Sequence, residues 1–190
     1  HEIGPGCRTF VVAEIGINHN GNLELAKKLI TAAKECGADA VKFQKRTVDV
    51  VYSADELAMD RESPFGTKNG DLKRGLEFGI DEYTEINSYC NELGMIWTAS
   101  CWDEDSVDFI QQFQPTFFKI ASASLTDDGL LKHHRNYPMP IILSTGMSTM
   151  AQIDHAVKIL GKKDLVLLHC TSTYPSEPKE LNLRAIAALE

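Results

Sequence analysis

The sequence contains no apolar run approaching the roughly 18 residues that a membrane helix needs, which argues against a membrane-spanning segment. It also lacks any CxxC pair. Its cysteines, Cys7, Cys36, Cys90, Cys101 and Cys170, are odd in number and scattered, the pattern of reduced thiols in a cytoplasmic protein. Positive charge is scarce as well. With 19 Lys and Arg against 27 Asp and Glu, a net charge of -8 gives nucleic-acid binding no electrostatic basis, although lysines gathered in a pocket can still hold an anionic substrate. No signal peptide is apparent, and the chain begins at His1 without an initiator Met, so an upstream stretch is expected to be missing or processed. The remaining composition, 43% hydrophobic and 24% charged, is that of one soluble globular domain.

The stretch FVVAEIGINHNGN, from Phe10 to Asn22, organises what is present. Its β-forming run predicts a strand buried on both faces, in which Glu14 costs several kcal/mol, roughly, unless it is paired or faces a polar cavity. Asn18, His19, Asn20 and Gly21 supply turn chemistry, and Asn22 caps a helix with Ala26, Leu29, Ile30 and Ala33 on its apolar face. Further strands are expected at 40–44 (AVKFQ), 95–100 (MIWTAS), 116–122 (TFFKIAS), 140–146 (PIILSTG) and 164–170 (DLVLLHC). Helices are expected from Asp81, over 103–113 and about 126–135, after the Thr149/Gln152 capping box, and over 183–189. Residues 45–79 hold no regular period and read as an active-site lid with its own aromatics to pack.

About six strand–helix units with apolar strands imply a parallel sheet, either a (β/α)8 TIM barrel or a doubly wound sheet. GINHNG does not match GxGxxG, and polar residues recur at the carboxyl ends of the strands, which favours the barrel, here incomplete by about two units. The polar set at those ends is Glu14, Asn18, His19, Lys42, Gln44, Thr98, Ser100, Lys119, Ser122, Ser144, Thr145, His169, Thr171, Ser172 and Tyr174. Two lysines among hydroxyls suit a phosphate or carboxylate, and a carboxylate opposite them can bind a sugar hydroxyl or handle a proton.

AEIGINHNG, KFQ, KIAS, LSTGM and LHCTSTYPS, in this order and spacing, resemble the amino-terminal barrel of the sialic acid (N-acetylneuraminate) synthase family over nearly the whole chain. The resemblance implies condensation of phosphoenolpyruvate with N-acetylmannosamine, a related hexosamine or its 6-phosphate, giving a nonulosonic acid and phosphate. It further implies a divalent metal, manganese or magnesium, with ligands outside this chain, and a homodimer whose subunits carry a small carboxyl-terminal antifreeze-like domain. By the same resemblance Lys42, Thr98, Lys119, Ser122 and Ser144 hold phosphoenolpyruvate, and Glu14 stands near the reacting centre. Glu14, Lys42 and Lys119 are therefore the expected catalytic groups, with Asn18, His19, Gln44, Thr98, Ser122, Ser144, Ser172 and Tyr174 expected to bind substrate and no metal ligand expected among residues 1–190. A chain without the later strands is expected to be inactive alone.

Two departures from the family pattern stand out. KIASAS puts Ser124 where many members carry an acid, and Ser172 stands where some carry an asparagine. Simpler readings compete with these roles: Glu14 as a structural partner of Lys42, His169 as a satisfied core histidine, His133 and His134 as a solvated pair, Tyr174 as packing under its loop, Trp97 and Trp102 as packing. Two other functions fit the same residues, a class I aldolase using Lys42 or Lys119 for a Schiff base, and a non-catalytic sugar- or phosphate-binding barrel.

Overall fold

The first strand runs into a turn that only a narrow set of residues can make. In the computed structural model, which describes residues 3, 4 and 6–189, β1 (Val12–Gly16) ends where the Asn18 N–H donates to the Ile15 carbonyl at 2.9 Å. Gly21 follows at φ +67, where an added Cβ would meet the Gly75 carbonyl at 2.2 Å, so glycine is required. The Asn22 side chain accepts from the Leu25 N–H at 2.9 Å and opens α1 (Leu23–Glu35), closed at Cys36 with Gly37 at φ +82. Cap and stop lie where the sequence places them.

The chain divides into two compact units, His1–Ala99 and Ser100–Glu190. In the first, β1 pairs in parallel with β2 (Ala40–Lys45), which is followed in the sheet by β5 (Ile96–Cys101), whose last two residues belong to the second unit. The expectation of a first strand buried on both faces is corrected. Val11 is 46% exposed and Glu14 is exposed, because β1 has a sheet neighbour on one side only among the described residues.

Residues 45–79 are also more regular than their sequence suggests. They form α2 (Val48–Val51), α3 (Ala54–Ala58), a two-stranded antiparallel hairpin of β3 (Asp60–Ser63) and β4 (Gly66–Lys68), and α4 (Asn69–Gly75). Elements this short carry too few residues to show a period, and local contacts hold them: Ser53 and Glu56 form a capping box, and Lys68 pairs with Asp60 at 2.5 Å. The expected aromatic packing is present. Phe65 covers Gly75 so closely that a Cβ there would lie 2.3 Å from its ring. Then α5 (Ile80–Leu93) stops at Gly94, φ +58.

In the second unit the end of β5 is followed by α6 (Glu104–Gln111), β6 (Phe118–Ile120), a 3-10 turn at Ser122–Ser124, α7 (Asp128–Arg135), β7 (Ile141–Ser144), α8 (Met150–Leu160), β8 (Leu165–Leu168), a 3-10 turn at Pro178–Glu180 and α9 (Ala185–Ala188). β5, β6, β7 and β8 lie side by side in chain order, all parallel. Neither unit shows the reversal of strand order that a doubly wound sheet requires, so the class is the incomplete (β/α)8 barrel. Phe118, Ile120, Ile141 and Leu143 are fully buried, each stabilising the unit by roughly 1.5 to 3 kcal/mol.

Several strands and the last helix are shorter than expected. Phe113 falls beyond the end of α6 and is only half-buried. His134 is not solvated: it is fully buried, its ring edge-on to Phe118 at 5.2 Å, while His133 pairs with Asp108 at 2.6 Å. No described helix is long and apolar enough to cross a membrane.

Candidate functional site

In a parallel strand the side chains alternate, so Lys42 and Gln44 share one face of β2, and Arg46 continues it. The register sets Glu14 of β1 directly beside Lys42. Their side chains meet at 2.7 Å, with Lys42 9% exposed and Glu14 51% exposed. The expected pair is therefore formed, with the cation buried and the carboxylate at the surface of the cluster. Lys42 Nζ also lies 3.3 Å from the Phe43 carbonyl, so the ammonium leans toward the carboxyl end of its strand.

Around Gln44 the contacts are denser. Its side-chain oxygen accepts from Arg46 Nη2 at 2.7 Å, Arg46 Nη1 donates to the Tyr52 hydroxyl at 2.8 Å, and Arg46 Nε pairs with Glu77 at 2.7 Å. Lys45 donates to the Phe78 carbonyl at 2.9 Å and stands 3.6 Å from Glu77. Burial raises the Glu77 pKa against the pull of Arg46 and Lys45. Glu77, the last charge before α5, thus ties the end of the 45–79 excursion back to its start.

His19 is buried, not displayed on its turn. Its ring stacks on Phe78 at 4.1 Å, and Nδ1 accepts from the Gly21 N–H at 3.1 Å, which requires the neutral ring. Burial pushes its pKa down to about 4, opposed by a bond to the Gly16 backbone. Asn18 is exposed on the same turn, and Thr98 is fully enclosed within β5.

The second unit uses backbone more than side chains. Lys119, in register with Ser100 and Ile142, donates to the Ile120 carbonyl at 2.7 Å, again toward the carboxyl end of its strand. Ser122 accepts from the Gly146 N–H at 2.9 Å, and an added Cβ on Gly146 would meet the Ser172 hydroxyl at 2.5 Å. Ser122, Gly146 and Ser172 therefore close on one another, with the buried Ser144 just before them in β7. Thr145 Oγ1 donates to the Leu168 carbonyl at 2.9 Å, and His169 Nε2 donates to the Leu181 carbonyl at 2.6 Å.

Beside them a cavity of about 550 Å³ is lined by Thr145, Ser148, His169, Cys170, Ser172 and Glu180 among others. Tyr174 does not pack under its loop; it is fully exposed. Ser124 is buried in the 3-10 turn.

The residues that sequence reasoning missed are Arg46, Glu77 and Gly146. Arg46 was visible in the alternation of Lys42, Gln44 and Arg46. Glu77 had no local signal, because its partners lie about thirty residues away. Among the described residues no three His, Cys, Asp or Glu side chains are grouped so as to hold a metal ion.

Parallel strands that alternate with helices and carry lysines and hydroxyls toward their carboxyl ends define part of a (β/α)8 barrel. The solved N-acetylneuraminic acid (sialic acid) synthetase from Leptospira borgpetersenii, in complex with citrate, matches all of this chain and 66% of its own, with a TM-score of 0.85 at 27% identity. Residues 29–190 match the NeuB family, and the chain belongs to that family. It is 38% identical over 187 residues to the N-acetylneuraminate-9-phosphate synthase of Drosophila melanogaster, covering 95% of this chain and 50% of that protein. To the N,N'-diacetyllegionaminic acid synthase of Legionella pneumophila it is 35% identical over 196 residues, covering 98% and 55%. The chain spans about half the length of the curated relatives it matches.

Proposed function

We propose that this chain supplies the amino-terminal strands of an enzyme that condenses phosphoenolpyruvate with N-acetylmannosamine, a related hexosamine or its 6-phosphate, forming a nonulosonic acid and inorganic phosphate. The observation that carries the reading is one shared by Lys42 in the first unit and Lys119 in the second: each stands within an apolar parallel strand, and each ammonium bonds to the next residue's carbonyl toward the strand's carboxyl end. A phosphorylated enol acid presents two anionic groups, and preplaced ammonium and hydroxyl donors bind both without reorganising. The sialic and legionaminic acid synthases among its relatives support the same reaction class.

In this reading C3 of the enol bonds to the sugar's aldehyde carbon, water adds at C2, and phosphate leaves with its bridging C–O bond broken. Lys42 and Lys119 stabilise the anionic charge, Ser122 and Ser144 orient it, and Glu14, paired with Lys42 through both carboxylate oxygens, handles a proton. A manganese or magnesium ion held by ligands outside residues 1–190, a homodimeric assembly with an antifreeze-like domain, and a cytoplasmic location belong to the same proposal.

Phosphate release by the full-length protein, with phosphoenolpyruvate and manganese against N-acetylmannosamine, its 6-phosphate and diamino-hexoses, tests it. Release that depends on one amino sugar is expected. No release with any of them from folded, metal-loaded protein would overturn the reading in favour of a binding barrel.

A further inference from the structure

Gln44 carries two opposite hydrogen-bonding groups on one amide, and which of them faces outward decides what it can recognise. Arginine only donates, so the 2.7 Å contact with Arg46 Nη2 fixes the amide oxygen as the inward end. Arg46 is itself held by two side-chain hydrogen bonds, to Gln44 and to the Tyr52 hydroxyl at 2.8 Å, and by an ion pair with Glu77 at 2.7 Å. It is 5% exposed, and its backbone N–H donates to the second oxygen of Glu77 at 3.2 Å. The fork therefore cannot turn without breaking contacts on every side.

The outward end is the amide nitrogen, which makes no hydrogen bond among the described residues. It lies beside Gly16, where an added Cβ would lie 3.4 Å from Gln44 Nε2 and 2.8 Å from Glu14 Oε1. Glu14 Oε1 in turn receives Lys42 at 2.9 Å. A carboxylate, an ammonium and an oriented NH2 group thus border one corner that glycine leaves clear.

We propose that Arg46 is a positioning residue for sugar selection: by locking the Gln44 amide it presents an NH2 donor to an acceptor oxygen of the amino sugar, a hydroxyl lone pair or the acetamido carbonyl. This rests on the function proposed above. A merely structural Arg46 would need the Glu77 pair alone and would be indifferent to the Gln44 amide.

The test uses the full-length protein. Arg46→Lys retains a cation for Glu77 but lacks the fork that reaches Gln44 at the same time. The expected result is a KM for the amino sugar raised about tenfold, with the KM for phosphoenolpyruvate within about twofold and the melting temperature retained. Gln44→Glu keeps a partner for Arg46 yet replaces the outward donor with an oxygen, and the same selective loss is expected. In parallel, the side-chain amide resonances of Gln44, assigned by their disappearance in Gln44→Glu, should report a rigid amide in the parent and a mobile one in Arg46→Lys.

An unchanged sugar KM, equal increases in both KM values, or a Gln44 amide equally rigid in Arg46→Lys would overturn the proposal. If the parent released phosphate with no amino sugar, the reaction assignment would fail, and the amide resonances alone would decide whether Arg46 orients Gln44.

Discussion

The lysines, hydroxyls and carboxylates of the candidate site are held by different means in the two units. In the first, side chains hold side chains: Glu14 with Lys42, and Arg46 and Lys45 with Glu77. In the second, the backbone does the holding: Lys119 on the Ile120 carbonyl, Ser122 under the Gly146 N–H, His169 on the Leu181 carbonyl. A charge fixed by another charge is exposed to loss of its partner, whereas a hydroxyl fixed by backbone is exposed mainly to changes of shape. The comparison predicts that single substitutions act through electrostatics in one unit and through sterics in the other.

The largest effect is expected from Glu77→Ala. Arg46 and Glu77 have side chains only 5% and 12% exposed, and removing the carboxylate leaves two cations facing the space it filled. A loss of about 3 to 5 kcal/mol in unfolding free energy is expected by urea titration, against about 1 kcal/mol or less for Ser122→Ala. Comparable losses would mean that the two units are not built differently after all.

Next come the lysines. Lys42→Met and Lys119→Met are each expected to lower kcat/KM for phosphoenolpyruvate by about 10²- to 10³-fold, the usual scale for one preplaced donor to a developing charge. The comparison sharpens on the side effects. Lys42→Met frees Glu14, which is half exposed and easily hydrated, so little stability should be lost in calorimetry; a large drop would show that the pair is structural first.

Gly146→Ala is the steric counterpart. Its Cβ would stand 2.5 Å from the Ser172 hydroxyl and 2.9 Å from that of Ser122, so one or both must move, at about 1 to 3 kcal/mol. Adding Ser172→Gly should recover part of the loss. No recovery would place the strain elsewhere.

What the sequence made legible follows the range of the interactions involved. The caps at Asn22 and Thr149, the stops at Gly37 and Gly94, and the alternation of parallel strands with helices depend on residues within about four positions, and each is found where it was read. The Glu14–Lys42 contact was accessible because both sit on strands whose order could be inferred. The Arg46–Glu77 tie was not, since no period links residues on either side of an irregular excursion. The exposure of Val11 was missed because an apolar run looks the same on an edge strand as on a central one. His134 was misread for a related reason: adjacent histidines on a helix point to different sides, and only the packing of Phe118 shows which side is the core.

These histidines give the smallest and most even-handed test, because each unit contains one that is buried and neutral, in the opposite tautomer. His19 accepts at Nδ1 from the Gly21 N–H, so its own proton is on Nε2. His134 stands 2.8 Å from the Leu130 carbonyl through Nδ1, which must donate, and its buried Nε2 has no hydrogen-bond partner among the described residues. Burial pushes both pKa values down to about 4; for His134 the neighbouring His133 adds to the shift, while the Leu130 bond and Asp127 oppose it. A second proton on His19 would face the Gly21 N–H, and on His134 it would find no acceptor. Since the folded values lie below the unfolded one near 6.5, the unfolded chain takes up more protons as pH falls. Each histidine therefore contributes its full stabilisation above pH 6.5 and loses it progressively toward pH 4, by roughly 1 kcal/mol per pH unit at most. Urea midpoints at pH 7 and pH 5.5 should fall less in His19→Gln and in His134→Gln than in the parent, and least in the double variant, whatever each substitution does to stability at pH 7. If one substitution removed the whole slope, acid sensitivity would belong to one unit, and the contrast between charge-held and backbone-held regions would extend to proton uptake as well.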